Sequence, residues 1–178
     1  VWSGIGKDSA ECRQWEEMIA REGARIFEVS ARDKFTLDGG AVVVEILSPE
    51  TESAGAKESS NNLSVAARIV HKNRAFLFTG DIDAKKEELI FRANPDLRAD
   101  VLKIAHHGSK YSANEEFTAG SAVAAAVVSC GKNNRYGHPH PETLDLLEKY
   151  DIKTLRTDED GNIVFRTDGE RIFVNTQK

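Results

Sequence analysis

The sequence has only two cysteines, Cys12 and Cys130, lying far apart with no CxxC pair and no histidine spaced for zinc around them. That pattern excludes a disulfide framework and a zinc knuckle, and leaves the redox compartment open. Long apolar runs are missing too. Nothing approaches the roughly 18 uninterrupted apolar residues of a membrane-spanning helix, and the N-terminus has neither the basic start nor the apolar stretch of a signal peptide. The segment is therefore expected to be soluble and to make no membrane contact itself. Basic charge is also in short supply: 24 Lys and Arg against 29 Asp and Glu leave a formal net charge of −5. Modules that grip nucleic acid by bulk electrostatics carry a basic stripe, so any such contact here has to be local. Lys110, Lys132 and Arg135 are the candidate cations, although scattered cations of this kind are commonly solvated surface.

What is present suffices for one domain. The chain has 178 residues, of which 40% are hydrophobic, enough to bury a core without disulfides. It starts at Val1, and "VWSGIGKDSAEC" reads as an excised or processed segment of a longer parent.

Ser9 to Glu22 opens with a capping serine and places Cys12, Trp15 and Ile19 at helical spacing, with Gly23 ending the helix. Residues 42–47 form a β-branched run expected to be a strand. The stretch 48–62 is small and polar without apolar period, as in a flexible loop. Strands are expected at 63–70 and 75–78, joined by a turn at 72–74. A helix capped by Asp83 should run over 84–93 until Asn94 and Pro95 break it. Strands follow at 101–105 and at 122–129, the latter apolar enough to be buried on both faces. Pro141 suits the first position of a helix ending near Tyr150. Short strands at 154–156, 162–166 and 171–174 close the chain, linked by the turns "DEDG" and "TDGE".

Three signatures each place a potential ligand after an apolar strand: "FLFTGD", "VLKIAHHGS" and "RYGHPHP". In layered α/β proteins, functional groups gather beyond the C-terminal ends of strands. Asp81 and His106 hold that position, and a carboxylate with a neutral imidazole suits zinc or manganese. Each residue also has an ordinary explanation. Asp81 alone reads as a turn or helix cap, and a lone histidine as a hydrogen-bonded packing residue. His138 and His140, alternating with Pro139 and Pro141, fit a rigid turn ahead of a helix. Adjacent strand residues point to opposite faces, so only one of His106 and His107 is expected to reach a given metal. Cys130 follows a buried strand without a paired base, which favours inert packing over a nucleophile.

"LFTGD", "ADVLKIAHHGS" and "VVSCGKNNRYGHPHPETLDLL", in that order and spacing, resemble the C-terminal half of the metallo-β-lactamase domain of the ComEC competence family. The likeness is strongest from Asn62 to Tyr150. It implies an α/β fold, the αββα sandwich of two facing sheets with helices outside, lacking its N-terminal part and forming one partial domain over 1–178. It further implies that Asp81 is a ligand able to bridge two metal ions, zinc or manganese. His106 would ligate the second ion, with His107 the lesser candidate. His138 would stand beside the catalytic pocket, with Lys110 or Arg135 neutralising phosphate charge.

The family's HxHxDH motif, which supplies most of its metal-binding side chains, is absent from this sequence. The resemblance therefore implies that the segment alone binds metal weakly and is inactive. Its parent would be a membrane-bound nuclease acting on DNA taken up during transformation. A non-catalytic docking domain of the same fold, or a free-standing hydrolase of a small phosphoester or lactone, are the alternatives. An uncovered sheet surface or strand edge would favour self-association.

Overall fold

In the computed structural model, which describes residues 9–50 and 59–178, a mixed seven-stranded sheet is covered by helices on one face. The expected loop at 48–62 lies largely outside the described residues. Strands β1 (Lys34–Leu37), β2 (Val42–Ser48), β3 (Ala66–His71) and β4 (Arg74–Phe78) follow one another as antiparallel neighbours. Strands β5 (Val101–Lys103), β6 (Ala125–Val128) and β7 (Lys153–Arg156) then add in parallel. The change of direction has a plain cause. A turn at Lys72 and Asn73 is enough for an antiparallel hairpin, whereas parallel pairing needs a crossover. The crossovers are supplied by helices α2 (Ala84–Ala93), α3 (Glu115–Gly120) and α4 (Pro141–Lys149).

These crossovers bury one continuous core. Leu77, Leu102, Ala126 and Val128 from the sheet pack with Ile90 of α2, Phe117 of α3 and Leu147 of α4. Phe91 meets Phe117 edge to face at 6.5 Å. The opposite face of the sheet receives a second, smaller sheet, the hairpin of β8 (Asn162–Thr167) and β9 (Ile172–Gln177). Phe165 packs against Phe76 at 6.1 Å, beside an apolar cavity of about 380 Å³ between the two sheets. The α/β class holds, with two sheets face to face and helices outside the larger. Among the described residues no helix is long and apolar enough to cross a membrane.

One local expectation needs correction, and two features went unforeseen. Helix α1 (Ala10–Glu22) forms with its Ser9 cap and Gly23 terminus, yet none of its residues is buried and Trp15 remains 42% exposed. Helical spacing marks an apolar stripe but does not say what covers it. Strand β6 is shorter than expected and only its helix-side residues, Ala126 and Val128, are buried; Ala125 and Val127 are half-buried. Strand β1 has no counterpart in the sequence reading, being a short edge strand paired to β2, with Phe35 packed on the core and Lys34 ion-paired to Glu45. Glu45 on β2 takes Lys34 at 2.8 Å and Arg68 of β3 at 2.9 Å.

Candidate functional site

Strands β4, β5 and β6 end side by side, and the loops that leave them converge. His106 N donates to Gly80 O (3.0 Å), Ile104 N to Val127 O (2.9 Å), and Thr79 Oγ1 to Lys103 O (2.8 Å). The first ties the "TGD" turn after β4 to the "HHGS" turn after β5, and the other two join the end of β5 to its neighbours on either side. A helix cap does not account for Asp81, because Asp83 fills that role, its carboxylate accepting Lys86 N at 2.8 Å. The Asp81 side chain is directed toward His107.

Strand β5 stops at Lys103, so the alternation expected of His106 and His107 does not apply. Both adopt left-handed backbone conformations, φ +47° and +57°. Such conformations cost non-glycine residues on the order of 1–3 kcal/mol each and persist only where the surroundings fix them. The tight turn swings both rings to one side, where they stand edge to face at 6.3 Å. His138 joins them, 5.9 Å from His106 and 6.3 Å from His107, and His140 lies 5.0 Å from His138.

The second loop is locked against the first. Gly108 has φ +79°, and a Cβ there would meet Pro139 Cβ at 2.7 Å, so only glycine allows the approach. His140 N donates to Gly108 O (2.9 Å), the buried Thr143 hydroxyl donates to the same oxygen (3.2 Å), and Lys110 N donates to His140 Nδ1 (3.3 Å). His140 thus works as a bridge between the loops, and its side chain does not cap α4.

His107 Nδ1 lies 2.7 Å from Ser129 O. A carbonyl only accepts, so Nδ1 carries the proton, and in the singly protonated ring Nε2 is a bare acceptor. That atom faces another acceptor, Asp81 Oδ1, at 3.8 Å. Two acceptors so placed can share one cation, since imidazole and carboxylate bonds to zinc are about 2.0–2.2 Å. The backbone contact on Nδ1 is the support that orients metal-ligating histidines. The donor set therefore fits a divalent ion in part. Among the described residues no three His, Cys, Asp or Glu side chains are grouped closely enough to hold one.

Charge in the crevice is tuned by burial. Desolvation, followed by His140, His106 and His107, holds His138 below the usual imidazole value, which keeps its ring neutral. Lys103 is also lowered by burial, with Asp81 pulling the other way, and its Nζ donates to Ile104 O at 3.1 Å. The Lys110 and Arg135 cations lie 5.3 Å and 4.8 Å from the ring centres of Tyr111 and Tyr136.

Two contributors were missed by sequence reasoning. Lys103 lay hidden inside an apolar motif. Asn134 holds the 131–138 loop: its Oδ1 accepts Tyr136 N (3.2 Å) and His138 N (3.0 Å), and its Nδ2 donates to Gly131 O (3.0 Å) and His138 O (2.6 Å). The signal for it was available, because asparagine bonded to nearby backbone is a turn former.

Relatives now bear on this geometry. No family model matches the chain. Three named proteins are similar to it. The chain is 38% identical over 145 residues to ComE operon protein 3 of Bacillus subtilis, covering 82% of this chain and 18% of that protein. It is 35% identical over 145 residues to competence protein ComA of Neisseria gonorrhoeae, covering 81% of this chain and 20% of the relative. Recombination protein 2 of Haemophilus influenzae is 29% identical over 119 residues, or 67% of this chain and 14% of the relative. The chain thus spans a fifth or less of these relatives. Among solved structures, a proposed metal-dependent hydrolase from Parabacteroides distasonis aligns with TM-score 0.49 and 13% identity, over 80% of this chain and 62% of that one.

Proposed function

We propose that this chain is part of the metallo-β-lactamase-type hydrolase domain of a ComEC-like protein, cleaving a phosphodiester in DNA during uptake. One observation carries the reading: a bare imidazole nitrogen and a carboxylate oxygen facing each other at 3.8 Å where three strands end. The similarity to a protein named for competence supports a role in DNA uptake, and the setting we infer for the parent is the bacterial cell membrane.

Asp81 and His107 would hold a divalent ion, zinc or manganese, with His106 adjacent for a second. Such an ion would supply a more acidic water and charge stabilisation for displacement at phosphorus. His138, kept neutral by burial, lines the hollow beside the pair and can accept or donate a hydrogen bond to a phosphate oxygen. Lys110 and Arg135 would offset the negative charge that builds on phosphate. Zinc sites take four ligands, so the reading requires further ligands from outside the described residues.

A non-catalytic docking role draws support from a single fact, the missing third ligand among the described residues. One experiment separates the two. The parent protein, with and without Asp81→Ala, is given a labelled DNA strand and either zinc, manganese or a chelator. Metal-dependent cleavage that the substitution abolishes supports the hydrolase. Equal behaviour of both proteins under all conditions supports docking.

A further inference from the structure

Tyr136 sits in the loop between β6 and α4 with 60% of its surface exposed. Its ring is nearly parallel to that of His138, 21° apart with centres 5.6 Å from each other. His138 is in turn nearly parallel to His107, at 23° and 6.3 Å. The three rings make a series that starts in solvent and ends at the Asp81–His107 pair. Beneath them is a hollow of about 470 Å³, lined by His107, Asn134, Tyr136 and His138, within the roughly 300–1,000 Å³ of small-molecule sites.

The loop is prepared in advance, because the four Asn134 hydrogen bonds fix the backbone on both sides of Tyr136. Arg135 lays its guanidinium over the ring, 4.8 Å from its centre, and donates to Tyr136 Oη at 2.6 Å. A flat aromatic with a planar cation over it offers two stacked surfaces for a base and N–H groups for a phosphate. Bases stack on aromatic rings whatever their identity, and arginine meets phosphate with parallel N–H groups. With a net charge of −5, this protein cannot rely on bulk attraction to phosphate, so stacking has to carry more of the affinity.

We propose that Tyr136 with Arg135 is a stacking platform for an unpaired base of single-stranded DNA, seating that nucleotide's phosphate toward Asp81 and His107. Only an unpaired base offers its face to the ring, which selects a single strand over a duplex. The choice of DNA rests on the function proposed above; the platform itself rests on the ring series and the hollow.

The test measures binding of this chain, with chelator present, by anisotropy of a short fluorescent single strand and of an all-abasic strand of equal phosphate count. The expected result is about tenfold tighter binding of the strand with bases. Tyr136→Ala should erase that preference, and Tyr136→Phe, which retains the ring, should keep it. Thermal melts confirm that the variants are folded. Equal affinity for both strands in the unsubstituted protein would overturn the platform, as would a preference surviving Tyr136→Ala. A free deoxynucleoside monophosphate binding as tightly as the strand would overturn the single-strand assignment. Because no metal is present, the result is independent of cleavage, and a platform without metal-dependent hydrolysis would count against the hydrolase alone.

Discussion

His107 Nε2 faces Asp81 Oδ1 across 3.8 Å, and the Ser129 carbonyl holds the ring proton on the far nitrogen. The gap accepts a positive charge, either a second ring proton or a metal ion. Zinc is therefore expected to raise the melting temperature of the chain, by an amount that grows with its concentration. At a hundredfold excess over the dissociation constant the gain is about 2.7 kcal/mol. Asp81→Asn should abolish the zinc response. Without metal the same variant should be as stable as the parent sequence or more so, by up to about 1 kcal/mol, because the new amide can donate to Nε2. An unchanged zinc response in Asp81→Asn would remove Asp81 from the site.

Gly108 is where the two histidine-bearing loops touch. Alanine there is strained twice, by φ +79° and by a Cβ 2.7 Å from Pro139 Cβ. Gly108→Ala should cost about 1–3 kcal/mol in urea denaturation. It should also weaken zinc binding, since the loops carrying His107 and His138 must separate. A neutral effect on both would mean that the loops are not locked as described.

Much of this arrangement was legible in the residues. Asp83 as a helix cap, Pro141 at a helix start and the apolar run before Asp81 each follow from local chemistry that acts alone. What was hidden depends on neighbours distant in sequence. Nothing in "IAHHGS" announces that the strand ends at Lys103 and that both histidines turn to the same side, because Gly80 O and Ser129 O, which hold them there, come from other loops. The fate of Trp15 in α1 is of the same kind: spacing defines a stripe, and only packing decides its burial. Asn134 was readable as a turn residue, but its four partners exist only once the loop closes.

Glu87 lies in the core, where burial raises its carboxyl to about 8 against the pull of the Asn114 and Ala113 amides, with Asp83 adding to the rise. Asn114 N donates to it at 2.6 Å, tying α2 to the start of α3. A raised carboxyl is protonated in the folded chain and ionised in the unfolded one between the ordinary value of about 4.3 and about 8. The folded state then binds more protons, so this stabilising contribution is complete at the acid end of that window and is lost as pH climbs through it. Glu87→Gln keeps an acceptor for Asn114 N and cannot ionise. Melting curves from pH 5 to 9 should show a decline in the unsubstituted protein that is flattened in the variant. Parallel declines would mean that Glu87 is not the group responsible.

Cys130 lines the hollow beside His138 and invites comparison with a nucleophile. Its surroundings argue otherwise. Burial, then the hydrogen bond to Asp158 Oδ1 at 3.1 Å and that group's charge, push the thiol up to about 11. Its backbone is pinned by Thr157, whose hydroxyl accepts Cys130 N at 2.9 Å and donates to Cys130 O at 2.8 Å. The thiolate is the reactive form, so at neutral pH it should be scarce. In a Cys12→Ser background, alkylation of Cys130 at pH 7.5 is expected to be at least about tenfold slower than that of a free thiol near 8.5, rising steeply only toward pH 11. Asp158→Asn, which removes the charge but keeps an acceptor, should shift that rise to lower pH. Fast labelling at neutral pH in the unsubstituted protein would return Cys130 to the list of chemical participants, and the hollow would then hold a nucleophile as well as a platform.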